Sequence, residues 1–561
     1  MVRRLVIIIG LVCFLYPDCF SQINPDDNLL RETVKKYGQA IVSIPFPGKY
    51  EANDLSRKVS VSSVREKSVE IFLSPQTVEW FILQKFNYTV LEDLEPKGIV
   101  SAADVKQAMA WDTYPTYTQY DSIMKSFQTL YPSLCNLDTI GSSILGKRVL
   151  VLKISDNVKT DEDEPETFYS STIHGRETGG FILMLHLADY LLKNYSTNAR
   201  IKRLVDSLEI WINPLANPDG TYLSGNTITS PTRYNANGVD LNRDFPDPEY
   251  DQYPKQKETL DMVKFLRNRH FVLSVNFHSG EEVVNYPWDR WYRLHADNDW
   301  FYHISRKYAD TTHLHSVAGY MTFMENGVTN GADWYVIYGG RQDFVTWELQ
   351  GREVTIELDD TFITPVAQLL PLWEANYRSL IGYLENALYG IHGFVKDAIT
   401  GDAVAAKIFI TGHDIDSSHV YSDTLTGSFV RLLSPGTWDI TFTSQGYISK
   451  VMHDVVVAEG KKTELFVGMV PIGTLPADGL KFVPNPSAET MNVIIPERQA
   501  GRVNIRIFNI LGGKVSDYYE DTFKDIPVIL DLRRFAGGTY IITVTNTLTR
   551  VTDTGRFVVV R

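Results

Sequence analysis

Cysteine is almost absent from this chain of 561 residues, which contains three: Cys13, Cys19 and Cys135. If the N-terminal segment that carries the first two is removed, Cys135 remains alone and no internal disulfide can form. Cys135 lies in LYPSLCNLDTIG without a nearby histidine, so we expect a small buried side chain rather than a reactive thiol. Stability must therefore come from sources other than disulfides.

A surplus of positive charge is also absent, because 54 Lys and Arg residues stand against 68 Asp and Glu residues, which gives a formal net charge of -14. This balance argues against a nucleic-acid partner and favours solubility. The composition is 44% hydrophobic and 22% charged, as in folded globular proteins. At this length, several domains are expected.

An apolar run at the N-terminus is too short and too early for an ordinary membrane span. In MVRRLVIIIGLVCFLYPDCFSQ, Arg3 and Arg4 precede this run, and small residues suited to cleavage follow near Ser21. Residues 1–21 are therefore predicted to be a secretory signal peptide, and the mature chain is expected to have no transmembrane helix. This predicts export from the cytoplasm.

Three separated motifs combine histidine with carboxylate residues: HGRE at His174 to Glu177, NFHSG around His278, and TIELDD around Glu357. A catalytic zinc ion needs three protein ligands and an open position for water, and an HxxE turn can supply two of the ligands. His174, Glu177 and His278 provide such a set, which predicts one Zn²⁺ per chain. The spacing alone is a weak signal, since the chain has twelve histidines and His278 forms a second HxxE with Glu281.

The sequence context of these motifs strengthens the prediction. His174 follows the strand-like run FYSSTI and precedes FILMLHLADYLL, which has the character of a helix. His278 ends FVLSVNF, and Glu357 follows VTI. All three residues are thus predicted at the carboxyl ends of buried strands, where open α/β sheets place their ligand crevice.

The chain resembles the funnel-like M14 family of zinc metallocarboxypeptidases in the order of seven motifs: HGRE, NPDG, RYNANGVDLNRDFP, NFHSG, NYPWD, GVTNGADWYVIYGGRQD and TIELDD. Within that family it resembles the regulatory, carboxypeptidase N/E-like branch, which removes C-terminal Lys and Arg. The resemblance implies an α/β catalytic domain over residues 110–389, with a mixed central sheet and flanking helices.

The family pattern makes His174, Glu177 and His278 the metal ligands and places Asp240 where a carboxylate orients a ligand histidine. Glu357 matches the catalytic glutamate that takes a proton from water and passes it to the leaving amine.

Four more positions match groups that bind the substrate or stabilise the reacting carbonyl. Arg233 matches the arginine that stabilises the oxyanion of the tetrahedral intermediate. Asn242 and Arg243 match the pair that holds the substrate's terminal carboxylate. Tyr335 matches the mobile tyrosine that caps bound substrate; Tyr338 is its rival within the same segment.

Asp289 and Gln342 correspond to the acid and the glutamine that accompany a preference for Lys and Arg in the regulatory branch. A buried carboxylate would favour a basic substrate side chain. The alternative for Asp289 is an aspartate that caps the turn after Pro287 and Trp288. Arg176 departs from this pattern, since regulatory enzymes usually have Asn there; Arg176 either binds substrate or the oxyanion, or forms only a salt bridge.

The segments outside the catalytic domain are predicted from strand and helix patterns. Residues 24–97 form a small α/β unit, which suggests a pro-segment; inhibition, assistance to folding and permanent attachment are all open roles. Residues 390–470 resemble the transthyretin-like β-sandwich of regulatory carboxypeptidases. Residues 478–561 are also all-β and resemble the sorting domain of the type IX secretion system of Bacteroidetes; the alternative is a third accessory domain.

Together these features predict a secreted or surface-attached metallocarboxypeptidase, exported through the periplasm, that acts on basic C-termini of peptides or proteins and engages secretion machinery. Two alternatives remain. The enzyme could have another preference, including cell-wall peptides, or the chain could be a zinc-bearing binding protein whose site is blocked by its N-terminal unit.

Overall fold

The computed structural model describes residues 25–91, 97–223, 225–249, 255–472 and 479–561. The predicted signal peptide, residues 1–21, lies outside these ranges. The described chain forms an N-terminal unit, a central domain and two β-sandwiches. None of the helices in the described ranges combines the length and the apolar character that a bilayer crossing needs.

The N-terminal unit comprises residues 25–91. Its elements are α1 (Pro25–Tyr37), β1 (Ala40–Pro45), α2 (Lys49–Leu55), β2 (Ser60–Val64), β3 (Ser68–Leu73), α3 (Val78–Leu83) and β4 (Thr89–Leu91). The strands form an antiparallel sheet with the order β2-β3-β1-β4, so β2 lies at an edge. Successive side chains of a strand point to opposite faces. Ile71 accordingly packs in a cluster that joins the core of the unit to Val283 and Trp334 of the central domain, whereas Phe72 packs against Tyr234 of that domain.

The central domain comprises residues 97–388. Its strands are β5 (Cys135–Ser142), β6 (Arg148–Ile154), β7 (Glu166–Ser171), β8 (Glu209–Asn213), β9 (Phe271–His278), β10 (Glu281–Tyr286), β11 (Val328–Asn330) and β12 (Arg352–Asp359). Its helices are α4 (Val105–Ala108), α5 (Tyr117–Leu130), α6 (Gly179–Asn194), α7 (Ala199–Val205), α8 (Pro218–Tyr222), α9 (Lys257–Arg267), α10 (Asn298–His313), α11 (Phe323–Asn326), α12 (Gly331–Trp334), α13 (Arg341–Glu348) and α14 (Val366–Leu384), with 3₁₀ turns at Leu241–Arg243 and Glu385–Leu388.

These strands form one eight-stranded sheet with the order β11-β10-β12-β9-β7-β8-β6-β5. The strands from β12 to β8 run parallel, whereas β5, β6 and β10 pair antiparallel with neighbours, so the predicted mixed sheet is confirmed. Buried residues of α5, α6, α10 and α14 share one core cluster with the sheet, and residues of α9 and α13 share another. The parallel strands are buried on both faces, which explains their apolar sequences.

Two all-β regions follow the central domain, as predicted. The first β-sandwich contains β13 (Gly390–Asp397), β14 (Lys407–Ile410), β15 (Val420–Tyr421), β16 (Ser428–Arg431), β17 (Gly436–Thr443), β18 (Lys450–Val457) and β19 (Lys462–Met469). The second contains β20 (Lys481–Val483), β21 (Thr490–Ile494), β22 (Gly501–Asn509), β23 (Lys514–Thr522), β24 (Val528–Asp531), β25 (Gly538–Asn546) and β26 (Thr552–Val559), with a 3₁₀ turn at Glu497–Gln499. Each pairs a three-stranded sheet with a four-stranded sheet around its own core.

Candidate metal centre and active site

The site lies where three parallel strands end. The chain leaves β7 at Ser171, passes through the turn that carries His174 and Glu177, and enters α6 at Gly179. This turn packs against the backbone of Gly220: a Cβ atom on Gly175 would lie 2.1 Å from the Gly220 carbonyl carbon, so the position requires glycine.

The other two motifs reach the same edge of the sheet on neighbouring strands. His278 is the last residue of β9, and Glu357 stands opposite it in the register of β12. Parallel pairing with this register places both side chains at one end of the sheet, next to the turn that follows β7.

The three predicted zinc ligands converge on one point. His174 Nδ1 lies 2.8 Å from Glu177 Oε1, and His278 Nδ1 lies 2.9 Å from Glu177 Oε2. The two Nδ1 atoms are 3.1 Å apart. Each of the three residues is at most 3% exposed.

This donor set fits a zinc ion. Asp240 Oδ1 lies 3.0 Å from His174 Nε2. A proton on Nε2, donated to Asp240, leaves the lone pair of Nδ1 directed at Glu177 and His278. One ligand atom from each of the three residues lies within 4.8 Å of the others. Two imidazoles and one carboxylate, buried together, form the set that catalytic zinc sites use.

Burial and neighbouring charges shift the pKa values of these groups. Burial lowers the pKa of His278 to about 4, which keeps its imidazole neutral at pH 7. Burial also raises the pKa of Asp240, but Arg233 and His174 outweigh burial and hold it well below its usual range. Asp240 is therefore a carboxylate acceptor at neutral pH.

Arg233 and Glu357 line the same cavity as the three ligands. Arg233 Nε donates to Asp240 Oδ2 over 2.8 Å, and its Nη1 lies 3.5 Å from Glu177 Oε1. Glu357 Oε2 is buried and finds no hydrogen-bond partner within the described ranges. Burial, followed by the charge of Glu177, raises the pKa of Glu357 well above its usual value.

Asn242 and Arg243 lie on the 3₁₀ turn that follows Asp240 and also line the cavity. Arg243 Nη1 donates to the Asn242 carbonyl oxygen over 2.9 Å. Asn242 Oδ1 accepts from the backbone N–H of Arg341 over 3.0 Å. This contact fixes the amide so that its NH₂ group remains a donor.

Tyr335, rather than its rival Tyr338, lines the cavity. Tyr335 is 8% exposed, packs against Trp334 and has its pKa raised to about 12 by burial. The hydroxyl oxygen of Tyr338 instead accepts a hydrogen bond of 2.9 Å from Arg57. The structure thus places these two tyrosines in different surroundings.

Asp289 reaches the cavity from the loop after β10. It is 2% exposed, and its Oδ1 accepts from Asn285 Nδ2 over 2.9 Å and from Gln342 Nε2 over 3.0 Å. Burial raises the pKa of Asp289 to about 6. A Cβ atom on Gly331 would lie 2.0 Å from Oδ1, so this glycine is required for the approach.

The turn at Asp289 is capped by another acid. Asp343 Oδ1 accepts from the backbone N–H of Asp289, and Oδ2 accepts from that of Arg290, over 3.1 and 2.8 Å. The carboxylate of Asp289 is therefore held by side-chain amides, while Asp343 accepts the hydrogen bonds of the two backbone N–H groups in this turn. Sequence reasoning missed Asp343, although its position next to Gln342 in GGRQD offered a signal.

Arg176 and Gln342 lie beside the cavity rather than among the residues that line it. The guanidinium of Arg176 lies between two aromatic rings, 5.0 Å from the centre of Phe72 and 4.8 Å from that of Phe362. Such contacts are cation–π interactions. Phe72 belongs to the N-terminal unit, so this unit contacts the HGRE turn directly.

The edge strand β2 covers the site. Ser60 Oγ donates to Asp240 Oδ2 over 2.7 Å, the Val61 carbonyl oxygen accepts from Arg243 Nη2 over 3.2 Å, and Ser62 lines the cavity. The cavity has a volume of about 30 Å³, room for about two water molecules. These contacts join residues about 180 positions apart, and no local sequence signal reports them.

Comparison with known proteins agrees with this arrangement. Residues 120–379 match the family described as zinc carboxypeptidase, Peptidase M14, and residues 481–559 match the secretion system C-terminal sorting domain. Human carboxypeptidase D is 34% identical over 362 residues, which are 61% of this chain and 26% of that protein, so the chain spans about a quarter of that relative's length. The carboxypeptidase N catalytic chain of Rattus norvegicus is 32% identical over 61% of this chain and 83% of that protein.

A solved structure shares the fold. The crystal structure of carboxypeptidase A from Helicoverpa armigera aligns with a TM-score of 0.50 and 17% identity, over 62% of this chain and 97% of that chain. At 17% identity, this similarity supports the fold alone. The family match and the identity to carboxypeptidase N show that this chain belongs to the M14 family of zinc carboxypeptidases.

Proposed function

We propose that this protein is a secreted zinc-dependent carboxypeptidase that removes the C-terminal residue of peptides, with a preference for Lys and Arg. The observation that carries the proposal is the convergence of His174, Glu177 and His278 beside Glu357 Oε2, which has no hydrogen-bond partner among the described residues. A zinc ion held by these ligands would supply a Lewis acid and lower the pKa of a water molecule.

The chain's own residues would handle the proton and the charge. Glu357, whose Oε2 is free to bond, accepts the proton from water and delivers it to the leaving amine. Arg233, fixed by its bond to Asp240, offers its Nη atoms to the oxygen that gains charge. Burial of Arg233 and Asp240 keeps bulk water from screening their interactions.

Recognition of a terminal carboxylate is assigned to Asn242 and Arg243. The Arg243 Nη2 donor already bonds to a carbonyl oxygen, that of Val61. A substrate carboxylate would replace this oxygen and form a stronger, charge-assisted bond. The preorganised Asn242 amide would add a second donor, and Tyr335 would cover the bound residue.

Asp289 is the residue that supports a preference for Lys and Arg. This carboxylate is buried, receives only neutral amide donors, and has a raised pKa because of burial. A basic side chain would relieve the cost of burying it, whereas an apolar side chain would leave it unpaired. A carboxypeptidase of other preference, including one for cell-wall peptides, is the alternative.

We further propose that the N-terminal unit is an inhibitory pro-segment. Strand β2 runs through the site instead of ending in it, so it offers Arg243 a main-chain carbonyl and no cleavable terminus. The remaining cavity of about 30 Å³ is too small for a peptide end. The same contacts favour the second candidate function, a zinc-bearing binding protein whose site stays blocked.

Export is the remaining part of the proposal. Residues 1–21 would direct the chain to the periplasm, and the sorting domain that residues 481–559 match would engage type IX secretion machinery. The product would be released or attached at the cell surface. Deletion of residues 481–561 should then leave the protein in the periplasm of the producing cell.

The experiment follows release of amino acids by mass spectrometry from otherwise identical peptides that end in Lys, Arg, Phe, Leu or Glu. It uses the intact chain and the chain cut once between the N-terminal unit and the central domain, each with and without a chelator. We expect chelator-sensitive release of Lys and Arg, chiefly after the cut.

The matched control is Glu357→Gln, which keeps the shape and should lower turnover by about two to four powers of ten. Release of Phe or Leu instead of Lys and Arg would refute the role of Asp289. No release from any peptide, before or after the cut, would favour the binding protein.

A further inference from the structure

Glu281 is a buried acid at the rim of the cavity, and the proposed mechanism makes no use of it. It begins β10, three residues after His278, and is 7% exposed. Both of its side-chain partners come from the N-terminal unit. Arg65 forms an ion pair with Glu281 Oε1, and Ser63 Oγ lies 3.3 Å from the same oxygen.

The position of Glu281 is fixed by the central domain itself. Its backbone pairs with Asp359 of β12, and the preceding glycine leaves no room for a side chain, since a Cβ atom on Gly280 would lie 2.3 Å from the Phe362 ring. Asp360 adds negative charge close to Glu281. Departure of the N-terminal unit would therefore leave a rigidly held carboxylate without its cation.

One short segment of the N-terminal unit, from Val61 to Arg65, reaches from Arg243 to Glu281. The Val61 carbonyl oxygen bonds to Arg243, Ser62 lines the cavity, and Arg65 reaches Glu281. Four residues of extended chain span roughly 13 Å. A peptide whose terminal carboxylate is held at Arg243 has this path open to it once β2 has left, so a residue shortly before its C-terminus comes within reach of Glu281.

We propose that Glu281 is a second specificity site, which binds a basic side chain at one of the three positions that precede the C-terminal residue of the substrate. Arg65 occupies this site in the intact chain. This role of Glu281 in substrate choice rests on the proposed function. The ion pair between Arg65 and Glu281, by contrast, does not depend on the reaction. A guanidinium suits the site because it can bind a fixed carboxylate through several N–H groups.

The test uses the full chain cut once between the N-terminal unit and the central domain, with both pieces present. The substrates all end in Lys and carry Arg, Ala or Glu at one of the three preceding positions. At one position, kcat/KM should be about tenfold higher for Arg than for Glu, a difference of about 1.4 kcal/mol, because Glu281 attracts Arg and repels Glu. Glu281→Gln should reduce this ratio to near one, and Glu281→Lys should invert it.

The matched control is Glu282→Gln, since Glu282 is next along β10 and points to the opposite face, where its Oε2 accepts from the Met321 N–H. This variant should keep the tenfold ratio. Equal rates for Arg and Glu at all three positions, in a protein that releases Lys from the Ala peptide, would overturn the proposal and leave the proposed function standing.

Failure of the proposed function has a different signature, namely no release from any peptide. In that case calorimetric binding of the same peptides to the cut chain decides the matter. Tighter binding of one Arg peptide than of its Glu counterpart, lost in Glu281→Gln, would support the site. Equal affinities in both proteins would refute it. Circular dichroism of each variant confirms that it is folded.

Discussion

The ion pair between the central domain and the N-terminal unit is partly exposed, whereas the ion pairs between the central domain and the first β-sandwich include one that is almost completely buried. In the first interface, Arg65 has 50% of its side chain exposed and Arg57 has 41%. In the second, Asp297 accepts from Arg431 of the first β-sandwich over 2.8 Å and from Arg352 of its own domain over 2.7 Å, and all three side chains are at most 2% exposed.

This difference in burial predicts that the N-terminal unit dissociates from the central domain more easily than the first β-sandwich does. Exposed ion pairs contribute about 0–1 kcal/mol. Removal of one partner from a buried pair costs about 3–5 kcal/mol, because a buried charge is left uncompensated. We therefore expect the first β-sandwich to remain part of the folded central domain, and the N-terminal unit to separate once the chain between them is cut.

The largest effect is expected where the buried cluster is broken. Asp297→Asn leaves Arg352 and Arg431 without their shared anion and should lower the free energy of unfolding by about 4 kcal/mol. Urea unfolding measures this change. The control is Asp416→Asn, which removes the partly exposed partner of Arg293 and should cost less than about 1 kcal/mol. Similar losses in both variants would show that burial does not set the strength of these ion pairs.

The next effect concerns the aromatic contact between the N-terminal unit and the site. Phe72 is fully buried, and its ring contacts Arg176, Arg233 and Phe362. Phe72→Ala should weaken docking of the unit by about 3 kcal/mol, or roughly a hundredfold. The intact chain should then release Lys faster, and Ser60–Val64 should exchange its amide hydrogens faster.

The control for this substitution is Tyr50→Ala, because Tyr50 belongs to the same unit and is 82% exposed. Tyr50→Ala should change neither the release of Lys nor the hydrogen exchange of Ser60–Val64. Unchanged hydrogen exchange in Phe72→Ala would show that this ring does not hold the unit in place.

A smaller effect should appear at low pH. Burial alone would raise the pKa of Asp297, but Arg431 and Arg352 outweigh burial and lower it to about 2. Because the folded pKa lies below the unfolded value of about 3.9, the stabilisation is complete above that value and is lost as the pH falls through 2. It amounts to about 2 kcal/mol.

Urea unfolding of the wild type and of Asp297→Asn between pH 5 and pH 2 measures this loss. The difference between the two proteins should shrink by about 2 kcal/mol over this range. A constant difference down to pH 2 would contradict the assignment of the shifted group.

The smallest effect is expected at the ion pair of Arg65 and Glu281, in which the Arg65 side chain is 50% exposed. Arg65→Gln should leave the free energy of unfolding of the central domain unchanged within about 0.5 kcal/mol. It should raise release of Lys by the intact chain less than about fivefold, since the pair is worth under about 1 kcal/mol. Lys67→Gln changes the charge equally on an exposed residue of the same turn and is the control. A larger rise with Lys67→Gln would assign the effect to net charge.

The metal site and its strands were accessible from sequence because their signals are local. His174, Glu177 and His278 follow apolar runs that form buried parallel strands, and the ends of such strands meet at one edge. The two all-β regions were predicted from the alternation of their strands, whereas the mixed sheet was implied by the resemblance to the M14 family. The roles of the substrate-binding residues remain predictions.

The contacts that cover the site were not accessible, because they join separate units. Strand β2 escaped the sequence analysis: VSVSSV alternates only weakly, and an edge strand needs no apolar side chains on its outer face. Helix α3 begins at Val78 after Thr77, where a local turn joins Ser74 to Thr77 and Gln76.

Cys135 is the one cysteine in the part of the chain that the structure describes, and it is buried at the start of β5. Burial raises the pKa of its thiol to about 12, so almost no thiolate forms at neutral pH. Thiol–disulfide exchange requires a thiolate, and oxidation by peroxides follows thiolate character as well. The folded protein should therefore tolerate reducing and oxidising surroundings equally, and its refolding should lack the slow phase that disulfide reshuffling imposes.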